Sequence, residues 1–352
     1  MNVTTGSSGE PLNAQYPGSG EGGVGRARLL IGLAVVTVVI AMLAYFGAAA
    51  IAYDRISRVE AHCGGRFPGS APDAWSTDRP KTSTAAAAFD PTPYLVADYR
   101  EVRLPSRDPG IDLHAWWLPS QAGPGTPAVV VIPGRGSCIR DPDSLLPAGM
   151  LHRLGYGVLL LDLRDHGEST VEDGRYAGGT EEYRDVQGAV DWLVTEGVQP
   201  GHVGVLGTSM GAATAIIAAG QDERIAAAWE DSSYADVETR IAEELEQRGY
   251  PRLLAPAATL VARLVSGDDL SSHTVVGELA NLGGRHLFIA HGAMDRATYV
   301  AHAAVIDQAA REAGALVDIW IVPEADHTDA MFLHPAEYEA RLDGFFEAAL
   351  GS

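Results

Sequence analysis

His202-Val203-Gly204-Val205-Leu206-Gly207-Thr208-Ser209-Met210-Gly211-Ala212-Ala213-Thr214-Ala215-Ile216-Ile217-Ala218-Ala219 reads as an apolar strand running into a small-residue helix, with Ser209 at the corner between them. Such a corner forces its tip residue into a sparsely populated backbone region. Glycines two residues before and after, Gly207 and Gly211, remove the side chains that would collide as strand and helix close together. The spacing therefore has a steric cause, and it is the way a serine hydroxyl is presented as a nucleophile. Taken alone, the pentapeptide also describes a glycine-rich turn with an incidental serine, so the surrounding sequence has to decide.

That context is a series of short apolar runs: Ala128 to Ile132, Gly157 to Leu161, Ile225 to Trp229, Leu287 to Ala290 and Val317 to Val322. Most lack polar alternation, as expected of strands covered on both faces. Amphipathic segments lie between them. In Thr180 to Gly197, Tyr183, Val186, Val190 and Leu193 share one helical face, after a Thr180 cap and two first-turn glutamates. Strands alternating with helices imply a mainly parallel sheet. Tyr99 to Leu104 and Leu113 to Leu118 read as two further strands joined by a Pro/Gly turn, an antiparallel edge. Pro335 opens a last helix whose Tyr338, Leu342, Phe345 and Phe346 face inward.

From about Tyr99 to Leu350 the chain resembles an α/β-hydrolase, and five motifs in order carry the resemblance. Gly134-Arg135-Gly136-Ser137 resembles the oxyanion loop. Asp162-Leu163-Arg164-Asp165-His166-Gly167-Glu168-Ser169 resembles the D-x-R-G-H-G-x-S loop of the family, with Asp165 in place of a glycine. The Ser209 corner follows, then the acid-bearing His291-Gly292-Ala293-Met294-Asp295 and the histidine-bearing Glu324-Ala325-Asp326-His327. The groups it most resembles are single-spanning bacterial hydrolases of the serine-aminopeptidase-like and dienelactone-hydrolase-like kinds. The resemblance implies a mainly parallel central sheet with helices on both faces, a small helical cap and no cofactor.

The chemistry requires these residue types. A serine hydroxyl is a poor nucleophile until a base takes its proton, and an imidazole can do so near neutral pH. The resemblance assigns Ser209 as nucleophile, His327 as base and Asp295 as the carboxylate that orients the ring, in the chain order of the family. It places the oxyanion donors on the backbone amides of Met210 and Arg135. Pro133 stands where relatives carry histidine. Asp295 has a competing role as a turn-stabilising aspartate. Asp326 and Asp329 flank His327 too closely to orient it, and His166, the rival base, reads as structural. The Arg135 side chain is read as a solvated cation, with capture of a substrate carboxylate or phosphate as its alternative. Residues 232–283 exceed what a minimal hydrolase needs; their apolar helices form either a cap over the serine or ordinary sheet cover.

The N-terminal part divides into a disordered tail over 1–28, a transmembrane helix or signal anchor over 29–53, and a flexible tether over 54–93, ahead of the hydrolase domain at 94–352. Leu29 to Tyr53 is a run of about 25 residues without a charge, long enough to cross a bilayer. Ala48-Ala49-Ala50 also fits a signal-peptidase site, but the long polar lead and long apolar run favour an uncleaved anchor. Arginines on both sides of the span leave its orientation open; an extracytoplasmic catalytic domain is the expectation. Cys63 and Cys138 either pair in an oxidising compartment or remain two thiols. No spacing suggests a metal site, a phosphate-cradling loop or an internal repeat. A net charge of −21 argues against nucleic acid and against adhesion to anionic lipid. Lys81 is the one lysine, a codon bias of a high-G+C bacterial genome.

Together these residues predict a single-pass membrane serine hydrolase acting on small-molecule acyl or lipid-like esters through an acyl-enzyme. A peptidase or amidase of the same fold is the alternative within enzymes. A catalytically silent binding module is the alternative outside them.

Overall fold

β-Branched and leucine-rich runs form the strands, and small-residue or amphipathic segments form the helices that cover them. The computed structural model describes residues 9, 21–60, 62–77 and 89–351, in two units, Met1–Gly47 and Ala48–Ser352. In the larger unit, β1 (Arg100–Pro105), β2 (Asp112–Leu118), β3 (Ala128–Ile132), β4 (Gly157–Leu161), β5 (Val203–Thr208), β6 (Ile225–Asp231), β7 (His286–Gly292) and β8 (Leu316–Val322) form one sheet in the order β1-β2-β4-β3-β5-β6-β7-β8. β2 pairs antiparallel with both β1 and β4, and every pairing from β4 through β8 is parallel. The expected α/β-hydrolase architecture is therefore present.

Strand order positions the site. The chain steps from β3 to β4 in one direction and then crosses back over β3 to β5. Right-handed crossovers put the two connecting helices, α2 (Pro142–Arg153) and α3 (Tyr183–Thr195), on opposite faces. At such a reversal the loops leaving neighbouring strands part and open a crevice at the carboxyl edge. Here those loops are the ones after β3, carrying Gly134, and after β5, carrying Ser209.

α4 (Met210–Gln221) follows β5, α8 (Ala301–Glu312) follows β7, and α10 (Pro335–Leu350) closes the chain against α2 after the short α9 (Ala330–Leu333). Tyr338, Leu342, Phe345 and Phe346 of α10 are buried, as their spacing predicts. Trp229 is the hub of that half of the core. Its ring stacks on Phe288 with centroids 3.7 Å apart, and its indole N–H donates to Tyr338 Oη at 3.0 Å.

Four local expectations change. α3 starts at Tyr183, not after Thr180: Thr180 Oγ1 donates to Ala177 O, while buried Glu182 folds back to accept the Ala177 and Gly179 amides. β8 is an edge strand, with Leu316, Ile319 and Ile321 exposed, so its apolar run is not covered on both faces. The 232–283 segment holds three helices with different neighbours. α5 (Val237–Gln247) shares a cavity wall with Ser209 through Arg240 and Glu244, α6 (Ala255–Val265) packs on α5, and α7 (Val275–Leu279) covers α4 and α8.

The fourth concerns the tether. α1 (Glu21–Ser57) continues past the apolar run, and in the larger unit Tyr53 Oη hydrogen-bonds Ser266 at 2.7 Å and Arg135 donates to Ile56 O at 3.0 Å. Val59 and His62 amides donate to Gly174 O and Gly167 O, and Cys63 is disulfide-bonded to Cys138 with Cα atoms 5.7 Å apart. Residues 54–60 and 62–77 are thus docked on the domain, because cross-links between distant positions override a local composition that favours coil. Residues 78–88 of the expected tether, and most of the 1–28 tail, lie outside the described residues.

Trp229→Ala should lower unfolding free energy by about 3–5 kcal/mol in urea titration, the usual cost of deleting a buried large aromatic. A loss below about 1 kcal/mol would contradict the role given to this residue.

Candidate active site

Ser209 has φ 55° and ψ −119°, the strained corner expected from its flanking glycines. A Cβ on Gly207 would lie 2.1 Å from Gly211 O, and one on Gly211 would lie 2.3 Å from Ile132 O. The corner is held from below, since the Ser209 amide donates to Asp231 O at 2.8 Å. Met210 opens α4, so its amide has no carbonyl four residues back to bond. Among the described residues, neither it nor the Arg135 amide donates to a turn or loop carbonyl. Both expected oxyanion donors are accordingly uncommitted.

The β7 and β8 loops bring the other two residues to the same edge. His327 Nδ1 lies 2.7 Å from Asp295 Oδ2. A carboxylate only accepts, so Nδ1 carries the proton, and in the neutral ring Nε2 presents a lone pair. Asp295 Oδ1 accepts the Ala297 and Thr298 amides at 2.8 Å each. Burial pushes the Asp295 carboxyl up, but hydrogen bonds from His291 and His327 outweigh it and hold the group well below the ordinary carboxylate range. The turn-stabilising role and the histidine-orienting role thus fall on the two oxygens of one side chain.

Ser209 and His327 line two adjoining cavities. One, of about 470 Å³, is also walled by Gly134, Arg66, Asp143 and Thr328. The other, of about 220 Å³, is walled by Arg135, Met210, Arg240 and Glu244. The Ser209 hydroxyl is not hydrogen-bonded to His327, a looseness usual before substrate closes the geometry.

The rival residues have other work. His166 is buried, its Nδ1–H donates to Arg164 O at 2.7 Å, burial lowers its pKa, and it lines neither cavity. Asp165, at φ 61°, adopts the left-handed backbone of the glycine it replaces and accepts the Glu172, Asp173 and Gly174 amides. Gly167 is required where it stands, because a Cβ there would lie 2.0 Å from the Asp162 carboxyl. Asp326 Oδ1 accepts the Arg296 and His327 amides and so shapes the loop. The Arg135 guanidinium is not solvated as read from sequence. It forks onto Glu244 at 2.8 and 3.1 Å and donates to Tyr176 Oη and Ile56 O.

Three supporting residues have no role assigned to them from sequence. Glu230, Asp231 and His291 are fully buried behind the corner. Burial raises Asp231 to about 6 and Glu230 to about 8, and Ser233 N donates to Glu230 Oε2. His291 Nε2 donates to Thr298 O at 2.9 Å, fixing the loop that carries Asp295. The sequence signal was there: two carboxylates continue the apolar Ala226 to Trp229 run to the carboxyl end of the strand. Among the described residues no group of three or more His, Cys, Asp or Glu side chains is arranged to hold a metal ion.

A family model described as the prolyl oligopeptidase family matches residues 147–352, from within α2 to the end of the chain. No curated protein sequence matches. Among solved structures, the esterase Pf2001 of Pyrococcus furiosus aligns with a TM-score of 0.60 at 21% identity over 77% of this chain and 99% of its own. The α/β hydrolase GrgF of Penicillium sp. sh18 aligns at 0.58 and 18% identity over 72% of this chain and 100% of its own. An acylaminoacyl peptidase of Pyrococcus horikoshii aligns at 0.55 and 16% identity, over 72% of this chain but 42% of its own. These likenesses are of fold.

The raised pKa of Glu230 has a measurable sign. The native state keeps this proton up to about pH 8, whereas the unfolded chain loses it near the ordinary value of 4.5. Between those values the native state binds more protons, so this group's contribution to stability falls as pH rises. Glu230→Gln cannot ionise. Its thermal midpoint relative to the parent should climb from pH 5 to pH 8 and then level off; a difference independent of pH would contradict the assignment.

Proposed function

The chain belongs to the prolyl oligopeptidase family and is a serine hydrolase, and from that premise we propose that it is a membrane-anchored enzyme cleaving carboxylic esters, acyl or lipid-like, through an acyl-enzyme on Ser209. The observation that carries the reading is the Asp295–His327 hydrogen bond of 2.7 Å, set on the wall of the cavities into which the strained Ser209 opens.

In this reading Ser209 Oγ attacks the ester carbonyl carbon as His327 Nε2 takes its proton. Asp295 holds the ring's other nitrogen and stabilises the imidazolium. The carbonyl oxygen becomes an oxyanion, and the Met210 and Arg135 amides donate to it. When the intermediate collapses, the C–O bond to the leaving alcohol breaks and the alcohol takes the proton from His327. Water, deprotonated by the same imidazole, then releases the acid and restores Ser209.

The family match keeps a peptidase or amidase as the second reading, since the same three residues cleave amides. The ester reading is supported by extent: the chain spans nearly all of the Pf2001 esterase and under half of the acylaminoacyl peptidase. Anchoring is supported by α1, which from Arg26 to Ser57 is long and apolar enough to span a bilayer, as a signal sequence near an N-terminus also is. The exposed Leu253, Leu260, Leu264 and Val265 on and beside α6, beside the Ser266 contact to Tyr53, are consistent with a membrane-facing surface. The Cys63–Cys138 disulfide supports an extracytoplasmic catalytic domain, because such bonds persist in oxidising compartments.

Ser209→Ala and His327→Ala should each lower kcat on 4-nitrophenyl acyl esters by about 10⁴-fold or more, with Asp295→Asn close behind. Fluorophosphonate should label the parent and not Ser209→Ala. Equal labelling of both, or of neither, would favour the silent binding module. Faster turnover of aminoacyl arylamides than of esters would put the peptidase reading first.

A further inference from the structure

The smaller cavity beside Ser209 carries more positive than negative charge. Its walls hold two guanidiniums, Arg135 and Arg240, and one carboxylate, Glu244, together with Tyr176, Tyr234, Met210 and His327. Glu244 is already heavily used. Arg135 forks onto both of its oxygens, Arg248 reaches Oε1 at 2.7 Å and Arg240 Nη2 reaches Oε2 at 3.3 Å. Three cations therefore draw on one carboxylate, and their field holds its pKa down against the upward push of burial. Of the two tyrosines, Tyr234 Oη donates to Gly178 O and Tyr176 Oη accepts from Arg135. Glu182, close enough to perturb Tyr234, is taken up by the Ala177 and Gly179 amides, and burial raises its pKa.

Arg240 completes the case. Its side chain is 12% exposed, and its Nη1, shielded from solvent, has no hydrogen-bond acceptor among the described residues. Arg240 lines the cavity while sharing its one carboxylate with Arg135 and Arg248, and a wall of two guanidiniums to one carboxylate beside the nucleophile is suited to receive an anion. Arginine donors in a fixed fork match a carboxylate in particular.

We propose that the cavity formed by Arg240, Arg135 and Tyr176 binds a carboxylate on the substrate, so that the preferred esters are those whose acyl chain ends in a negative charge, such as monoesters of dicarboxylic acids. The proposal rests on the serine-hydrolase reading for turnover, but not for binding. The chain's net charge of −21 does not oppose it at short range. Repulsion from charges more than about 8 Å away is screened at physiological salt, whereas contact with Arg240 is not.

The test uses the full chain. Mono-4-nitrophenyl succinate, glutarate and adipate are compared with the neutral esters of equal chain length. At least one charged ester should have the higher kcat/KM, and Arg240→Gln should cut the charged-to-neutral ratio about tenfold or more, with Arg240→Lys retaining part of it. In parallel, calorimetry on Ser209→Ala should detect binding of glutarate, weakened about tenfold or more when Arg240→Gln is added. If esters are cleaved but the ratio ignores Arg240 and glutarate does not bind, the carboxylate pocket is wrong and the hydrolase stands. If glutarate binds through Arg240 while no ester is cleaved, the pocket stands and the hydrolase reading falls.

Discussion

The backbone at Ser209, held at a positive φ that only a tightly enforced corner sustains, is the constraint on which the rest depends. Without it, the hydroxyl would sit in an ordinary turn and the amide of Met210 would not stand at the mouth of α4 beside it. The enforcement is spread over three strands. Gly211 sits against the end of β3, the Ser209 amide is bonded to the end of β6, and Gly207 leaves room for the helix to turn back. The cost of the strained residue, of order 1–3 kcal/mol, is met by the packing of a sheet core that includes Trp229.

Around that corner, burial and charge are arranged in two opposite ways. Behind it, Glu230 and Asp231 sit in an environment that disfavours their ionised forms, while neighbouring Asp295 is kept ionised by His291 and His327. Carboxyls within one cluster thus differ in charge: at neutral pH Glu230 keeps its proton, while Asp295, which meets His327, is ionised. On the α5 side the balance reverses: three arginines share Glu244, and two of them, Arg135 and Arg240, line a cavity with the serine. An enzyme acidic overall has a cationic wall where a substrate would lie.

Much of this was legible because it is encoded in short spacings. The Gly207-x-Ser209-x-Gly211 corner, the apolar strands and the Asp295 and His327 loops each declare themselves within a few residues. The Asp295–His327 contact followed from the order of those loops. What was not legible depends on partners far apart in sequence. Arg135 was read as solvated because nothing near it in the chain reveals Glu244, more than a hundred residues on. Residues 54–77 were read as tether because their coil-like composition says nothing of Cys138, Gly167 or Gly174. The edge position of β8 is not legible either, because an apolar edge strand and an apolar central strand look alike until neighbours are known. Thr180 reads as a helix cap because buried Glu182, which displaces it, looks in sequence like any first-turn glutamate.

The most direct measurement of the central claim is the site of the covalent intermediate. A short-chain 4-nitrophenyl ester is turned over, quenched in acid within the first turnover, and the peptides are weighed and fragmented. One acyl group is expected, on the peptide containing Ser209 and on that hydroxyl, and none when His327 is replaced by alanine. An acyl group on another residue, or ester turnover with no acylated peptide at any quench time, would contradict it.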